Sequence, residues 1–335
     1  MWTSALHALG FTNIFIGRRS AKTGTVDSAR AFRLLLTELR VLREQVSELH
    51  TGLLGGASGK AQPTLTPASP HLAAGALYGT LLGSFRLYRA QAEVPLGGSR
   101  VVLDLCRYLV AHAGRVVPRE VLLELLWPEQ APAAPATHRL HVAVSTLRHL
   151  LDEPLADHSL LLMEDEGYRI GADSVVTDCD LFELRYDHAK ACLDRHNAPA
   201  AAESFRDALA VYGGEYLADS PYAEWALGQR AHFAERRLNA LTALCEFATA
   251  EGSLLAVMEY AQAILAVDNL RERAHRQLMR AHYLMGQRSC AIRQFRVCAD
   301  LLEQELGTAP SLQTKNLVEA IMNDAELPGE VPLFA

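Results

Sequence analysis

From Asp27 to Leu54, the apolar residues Phe32, Leu35, Leu39, Leu42, Val46, Leu49 and Leu53 recur at alternating three- and four-residue steps. This is the seam of a coiled coil and predicts one helix, with Glu38 at a g position and Arg43 at the following e, a pairing that attracts across a parallel dimer. Leu34 and Leu36 widen the stripe, so docking of this helix on the rest of the chain is the alternative to self-association. Beyond Thr80 the pattern changes. Leu81–Leu87 and Glu93–Leu96 are short alternating runs that predict a hairpin. Ser99 can cap a helix whose stripe is Val102, Leu103, Leu105, Cys106 and Leu109, with Gly114 ending it. Pro118 opens a second helix with Val121, Leu122, Leu125 and Leu126 inward, closed by Trp127-Pro128. A third helix, about 136–151, carries Leu140, Val144, Leu147 and Leu151 on one face. Leu160–Met163 and Tyr168–Ile170 then flank an acidic turn, giving a second hairpin.

The remainder reads as helical and repetitive. Gly252 and Gly286 stand 34 residues apart, and Leu244/Leu278, Val257/Ala291 and Ala261/Phe295 keep the same offset. That period belongs to tetratricopeptide helix pairs, whose apolar faces are covered only by stacked neighbours, so an α-solenoid is expected. Ala201, Phe205 and Ala208 suggest an earlier, degenerate unit. The fold class read from the pattern is mainly α: an N-terminal coiled-coil-like helix, a unit of strands, three helices and a hairpin, then the solenoid. The expected boundaries are an extension over 1–54, a Gly/Pro-rich linker over 55–79, the strand–helix–hairpin unit over 80–173, the repeats over 174–325 and a tail over 326–335.

Composition narrows the function classes. Of 335 residues, 50% are hydrophobic and 21% charged, enough apolar material for a sizeable core. The apolar runs are short and interrupted, so no membrane span is expected, and Met1–Gly17 lacks the basic start of a secretion signal. Six scattered cysteines without a C-x-x-C pair fit packed thiols in a reducing cytoplasm. The net charge of −7 is uneven: residues 1–60 hold eight Lys/Arg against four Asp/Glu, residues 83–173 nine against twelve, and 174–335 fifteen against twenty-three. Phosphate binding needs a local excess of Lys/Arg, so any nucleic-acid contact must rest on a local surface.

The third helix supplies the candidate surface. Thr137, His138, Arg139, His141, Ser145, Arg148 and His149 are its outward positions, and Arg169 leaves the hairpin beside it. A polar helix face held by two others and followed by a hairpin suits a major groove, with arginines reading guanine edges or clamping phosphates and the hairpin arginine at the minor groove. A merely solvated face is the alternative. Gly59-Lys60 fails as a phosphate loop, because Leu54 and Ala61 occupy the positions that need Gly and Ser/Thr. No nucleophile elbow or zinc pair occurs, and His138, His141 and His149 read better as a polar face than as a metal cluster. No enzyme activity, cofactor or metal is expected.

These residues carry a family resemblance. Ala113–Glu120, Leu122–Trp127, Leu140, Val142, Val144-Ser145, Leu147-Arg148, Leu150-Leu151 and Gly167–Ile170 are similar to an OmpR-type winged helix. Thr177–Phe182, Leu270–Arg273 with Leu278-Met279, and Glu305–Gly307 with Pro310 are similar to a bacterial transcriptional activator domain. Over residues 80–325 the chain resembles the Streptomyces antibiotic regulatory protein family. The resemblance implies a cytoplasmic activator that binds direct repeats in promoter DNA, recruits RNA polymerase and controls biosynthetic genes. It assigns base contacts to Arg139, His141, Ser145 and Arg148, with Arg169 as the wing contact. Two positions depart from the family: Arg148-His149 stands where two arginines are frequent, and Thr146 replaces a frequent Arg. Neither a preceding receiver domain nor a following ATPase is read, so aspartate phosphorylation is not an expected switch. A homodimer through the coiled-coil seam would raise the effective concentration of a second DNA-reading copy. The acidic balance of 83–173 leaves a second reading: a repeat-based protein-interaction adaptor whose winged helix does not read DNA.

Overall fold

A computed structural model of the chain describes residues 76–89, 92–97, 99–128, 134–152, 159–164 and 166–329. The Asp27–Leu54 seam lies outside the described residues. Strands β1 (Leu77–Thr80), β2 (Arg86–Arg89), β3 (Ala92–Glu93) and β7 (Val175–Thr177) form one sheet in the order β3-β2-β1-β7. β1 pairs antiparallel with β2, Leu77 opposite Arg89, and parallel with β7, Leu77 opposite Val175. The sheet thus takes in residues on both sides of the expected 80–173 span. The first hairpin is also displaced from the expected runs: Leu81–Phe85 is its turn rather than its strand. The turn is set from outside as well as by its own glycine: Gly83 adopts φ +119° there, and the Asp178 carboxylate, far along the chain, accepts the Leu81 and Leu82 N–H groups at 2.8 and 2.9 Å.

Three helices follow. α1 (Arg100–Ala111) starts at Ser99, whose hydroxyl accepts the Val102 N–H, and buries Val102, Leu105, Cys106 and Leu109 as its spacing demands. After β4 (Val117–Pro118) comes α2 (Arg119–Leu126), which buries Leu122 and Leu123. Val121, expected inward, is exposed: the core-facing side of α2 is Leu122 and Leu123, with Leu125 and Leu126 half-buried beside them. α3 (Ala134–Leu151) buries Leu140, Ala143, Val144, Leu147 and Leu151. β5 (Leu161–Glu164) and β6 (Gly167–Ile170) make the wing, and β4 completes its sheet in the order β4-β6-β5. Gly167 permits that closure: a Cβ there would lie 2.2 Å from the Val117 carbonyl oxygen.

The repeats are α4 (Asp178–Asp194) with α5 (Ala198–Ala210), α6 (Leu227–Ala250) with α7 (Leu254–Val267), and α8 (Glu272–Leu284) with α9 (Arg288–Leu306), closed by α10 (Leu312–Met322). Thr177 and Asp180 form a reciprocal capping box at the start of α4. Gly252 and Gly286 turn the second and third units with φ +72° and +75°, the left-handed conformation that glycine adopts without strain. In the first unit, whose second helix buries the Ala201, Phe205 and Ala208 of the expected degenerate repeat, His196 takes that role at φ 54°.

The first unit departs from the 34-residue period for a physical reason. Between α5 and α6 an extra stretch runs back to the winged helix and zips onto the β1–β2 turn. Gly83 N–H donates to the Glu215 carbonyl at 3.0 Å, Leu217 N–H to Leu81 at 2.7 Å and Ala218 N–H to Gly83 at 2.9 Å. The backbones are so close that a Cβ on Gly213 would stand 2.8 Å from the Leu82 carbonyl oxygen. Leu217, fully buried, holds a positive φ of 52° within this zipper. A single hydrophobic core runs from Leu77 in β1 to Leu244 in α6, so the winged helix and the first repeats share one interior.

Candidate nucleic-acid interface

The third helix is held from three directions. Its buried stripe packs on α1 and α2. At its C-terminus Arg89, from β2, donates to the Leu151 carbonyl, one of the acceptors that a helix end leaves unpaired. Asp152 then ties the following chain by accepting the Leu160 N–H at 2.8 Å. Arg148 and His149 lie in the last turn, where positive charge is favoured by the helix dipole.

The burial pattern resolves the expected outward set into two groups. His138, His141, Ser145 and His149 are exposed. Thr137, Arg139 and Arg148 are half-buried on the flanks. The Arg139 guanidinium lies 5.0 Å above the centre of the Trp127 ring, and its Nε donates to the Pro135 carbonyl at 3.4 Å. Arg148 Nε donates to the Leu161 carbonyl at 3.0 Å, joining the helix to the first residue of the wing. Arg169 is half-buried and forms an ion pair with Glu164 across the wing hairpin. Arg139 and Arg148 therefore border the exposed face of α3, and all three arginines are engaged within the domain.

Two further residues belong to that face, beyond those expected from the sequence. Val142 is 53% exposed despite being apolar, and Thr146 is exposed with its hydroxyl donating to the Val142 carbonyl at 2.9 Å. The signal was present in the spacing: 138, 141, 142, 145, 146 and 149 form the complement of the buried stripe at 140, 143, 144, 147 and 151. The wing adds its own exposed apolar groups, Leu162 and Met163. Around its turn, Arg119 N–H donates to the Glu166 carbonyl at 3.0 Å, which seats the start of α2 against the wing.

Among the described residues no group of His, Cys, Asp and Glu is arranged to hold a metal ion, and no helix is long and apolar enough to cross a membrane. His138, His141 and His149 of α3 are exposed.

Comparison with known proteins agrees with this arrangement. Residues 94–170 match the transcriptional regulatory protein C-terminal domain, and residues 177–322 match the bacterial transcriptional activator domain. The regulatory protein DnrI of Streptomyces peucetius is 29% identical over 220 residues, 64% of this chain and 80% of that one. The regulatory protein AfsR of Streptomyces griseus is 29% identical over 267 residues, which cover 78% of this chain and 26% of AfsR. The solved structure of Mycobacterium tuberculosis EmbR in complex with a low-affinity phosphopeptide superposes with a TM-score of 0.62 at 25% identity, over 75% of this chain and 66% of that one. With an OmpR-type winged helix and a bacterial transcriptional activator domain in that order, and relatives that are themselves regulators, the chain belongs to the Streptomyces antibiotic regulatory protein family.

Proposed function

We propose that the protein is a sequence-specific, DNA-binding transcriptional activator. α3 enters the major groove, and the wing lies along the adjacent backbone. The observation that carries this reading is the exposed stripe of α3: six outward positions on a helix braced by α1, α2 and the wing, with arginines on both borders. His138, His141, Ser145 and His149 face the bases, Thr137, Arg139 and Arg148 the groove edges, and Arg169 the phosphates beside the wing. The sites are direct repeats in promoters of a biosynthetic gene cluster, and the bound protein recruits RNA polymerase in the bacterial cytoplasm. The extension over 1–54, joined by the linker that runs from residue 55 towards β1, pairs two copies through Phe32, Leu35, Leu39, Leu42, Val46, Leu49 and Leu53.

The test is an electrophoretic shift on promoter fragments from the genes that flank its own, with salt varied. A shift that weakens steeply with salt is expected, since every phosphate the protein neutralises adds about one unit to the logarithmic salt slope. Deleting residues 1–60 should lower affinity for paired sites and leave a monomer. Absence of any shift, with a protein partner recovered on the repeats, would instead favour the adaptor.

A further inference from the structure

The exposed face of α3 is poor in groups that read purines by paired hydrogen bonds. Guanine is read best by Arg or Lys, and adenine by Asn or Gln. The six exposed residues His138, His141, Val142, Ser145, Thr146 and His149 include none of these, and Arg139 and Arg148 are held at the borders by Trp127, Pro135 and Leu161. At the centre of the face stand two methyl-bearing side chains one turn apart. Val142 is 53% exposed on a helix whose other apolar residues are largely covered. Thr146 directs its hydroxyl onto the Val142 carbonyl, which leaves its methyl as the group free for contact. In the major groove the chemical match for such groups is the 5-methyl of thymine.

We infer that Val142 and Thr146 are specificity-determining residues that select two thymines by methyl contact. This inference rests on the DNA-reading function proposed above. Residues four apart are separated by roughly 6 Å along a helix, and base pairs are stacked ~3.4 Å apart. The two thymines therefore lie about two base pairs apart. His141 and Ser145, between and beside them, supply single hydrogen bonds that orient the helix.

The test uses the full chain and duplexes selected by it from a randomised library. Each selected thymine is then replaced singly by deoxyuridine, which removes the methyl and leaves every hydrogen-bonding group in place. Two positions about two base pairs apart should each weaken binding about fourfold when demethylated, the effect of removing one buried methyl-sized group. Val142→Ala should abolish the sensitivity at one position. Thr146→Ser, which removes only a methyl and keeps the hydroxyl bond to the backbone, should abolish it at the other. Equal binding of thymine and uracil duplexes by the unmodified protein overturns the inference while leaving DNA reading intact, and so does full uracil sensitivity in both variants. Failure to enrich any duplex overturns the DNA-reading function and this inference together.

Discussion

Arg107 of α1 and Asp219 of the stretch that precedes α6 form a 2.5 Å ion pair, although 112 residues separate them. Arg107 is 6% exposed, and its second guanidinium nitrogen bonds Asp104 at 3.0 Å. Asp219 also accepts the Phe85 N–H at 3.2 Å, so one carboxylate links α1, the β1–β2 turn and the repeat domain. Removing one partner of a buried pair strands the other charge, which costs about 3–5 kcal/mol in full burial. Here Asp104 remains and the Asp219 side is partly solvated, so Asp219→Ala should lose roughly 2 kcal/mol. Urea denaturation followed by tryptophan fluorescence checks this. With a common core, the winged helix and the first repeats should unfold in one transition, and the variant should shift that transition as a whole.

Asp178 makes the same junction sensitive to pH. Burial raises its carboxyl pKa to about 6, against the opposing pull of N–H donors from Leu81, Leu82 and Cys179. In the unfolded chain the group titrates near its ordinary value of about 3.9. Between those values the folded state binds more protons, so stability falls as pH rises. The contribution is full below about pH 4 and lost as pH passes through 6, an amplitude of roughly 3 kcal/mol. Denaturant midpoints measured from pH 4.5 to 7.5 should show this slope over whatever other groups contribute. Asp178→Asn should flatten it. The variant also places an amide donor against one of the backbone N–H groups, at about 1–3 kcal/mol, so the slope and not the absolute stability is the informative quantity.

What the sequence made legible follows from which forces are local. The stripes of α1 and α3, the Ser99 cap and the 34-residue offset at Gly252 and Gly286 depend on residues within a turn or two, and the structure has them where the pattern put them. The first hairpin was misplaced because its turn is fixed from outside, by the Asp178 carboxylate and by the 215–218 backbone. Pairing of β1 with β7 was hidden for the same reason, since nearly a hundred residues intervene. At the interface, spacing alone marked Arg139 and Arg148 as outward. Trp127 and the Leu161 carbonyl, which draw them to the edges, are neighbours only in three dimensions.

Thiol reactivity offers a check on the packing of the repeats. Cys106, Cys179, Cys192, Cys245 and Cys298 are buried, whereas Cys290 is half-buried. Burial pushes the Cys106 thiol up to about 12 and Cys298 to about 11, so the reactive thiolate is scarce at neutral pH. A disulfide reagent added to the native protein at pH 7.5 should titrate Cys290 rapidly and the rest only as the protein opens. In denaturant all six cysteines should react. Rapid modification of more than one thiol in the native state would contradict the packing of this core.

Arg148 separates a structural role from a DNA-contacting one. Its Nε bond to the Leu161 carbonyl fastens α3 to the wing, and a charged donor to a carbonyl contributes about 1.5–3 kcal/mol. Arg148→Ala should therefore raise amide exchange across Leu161–Glu164 even without DNA. Arg148→Lys keeps the charge but loses the rigid guanidinium fork, so it should loosen the wing nearly as much. On DNA the two variants should diverge. If Arg148 also meets a phosphate, Lys retains the salt dependence of binding while Ala reduces it by about one unit. If both variants loosen the wing equally and bind with the same salt dependence as the unmodified protein, Arg148 positions the wing and makes no phosphate contact.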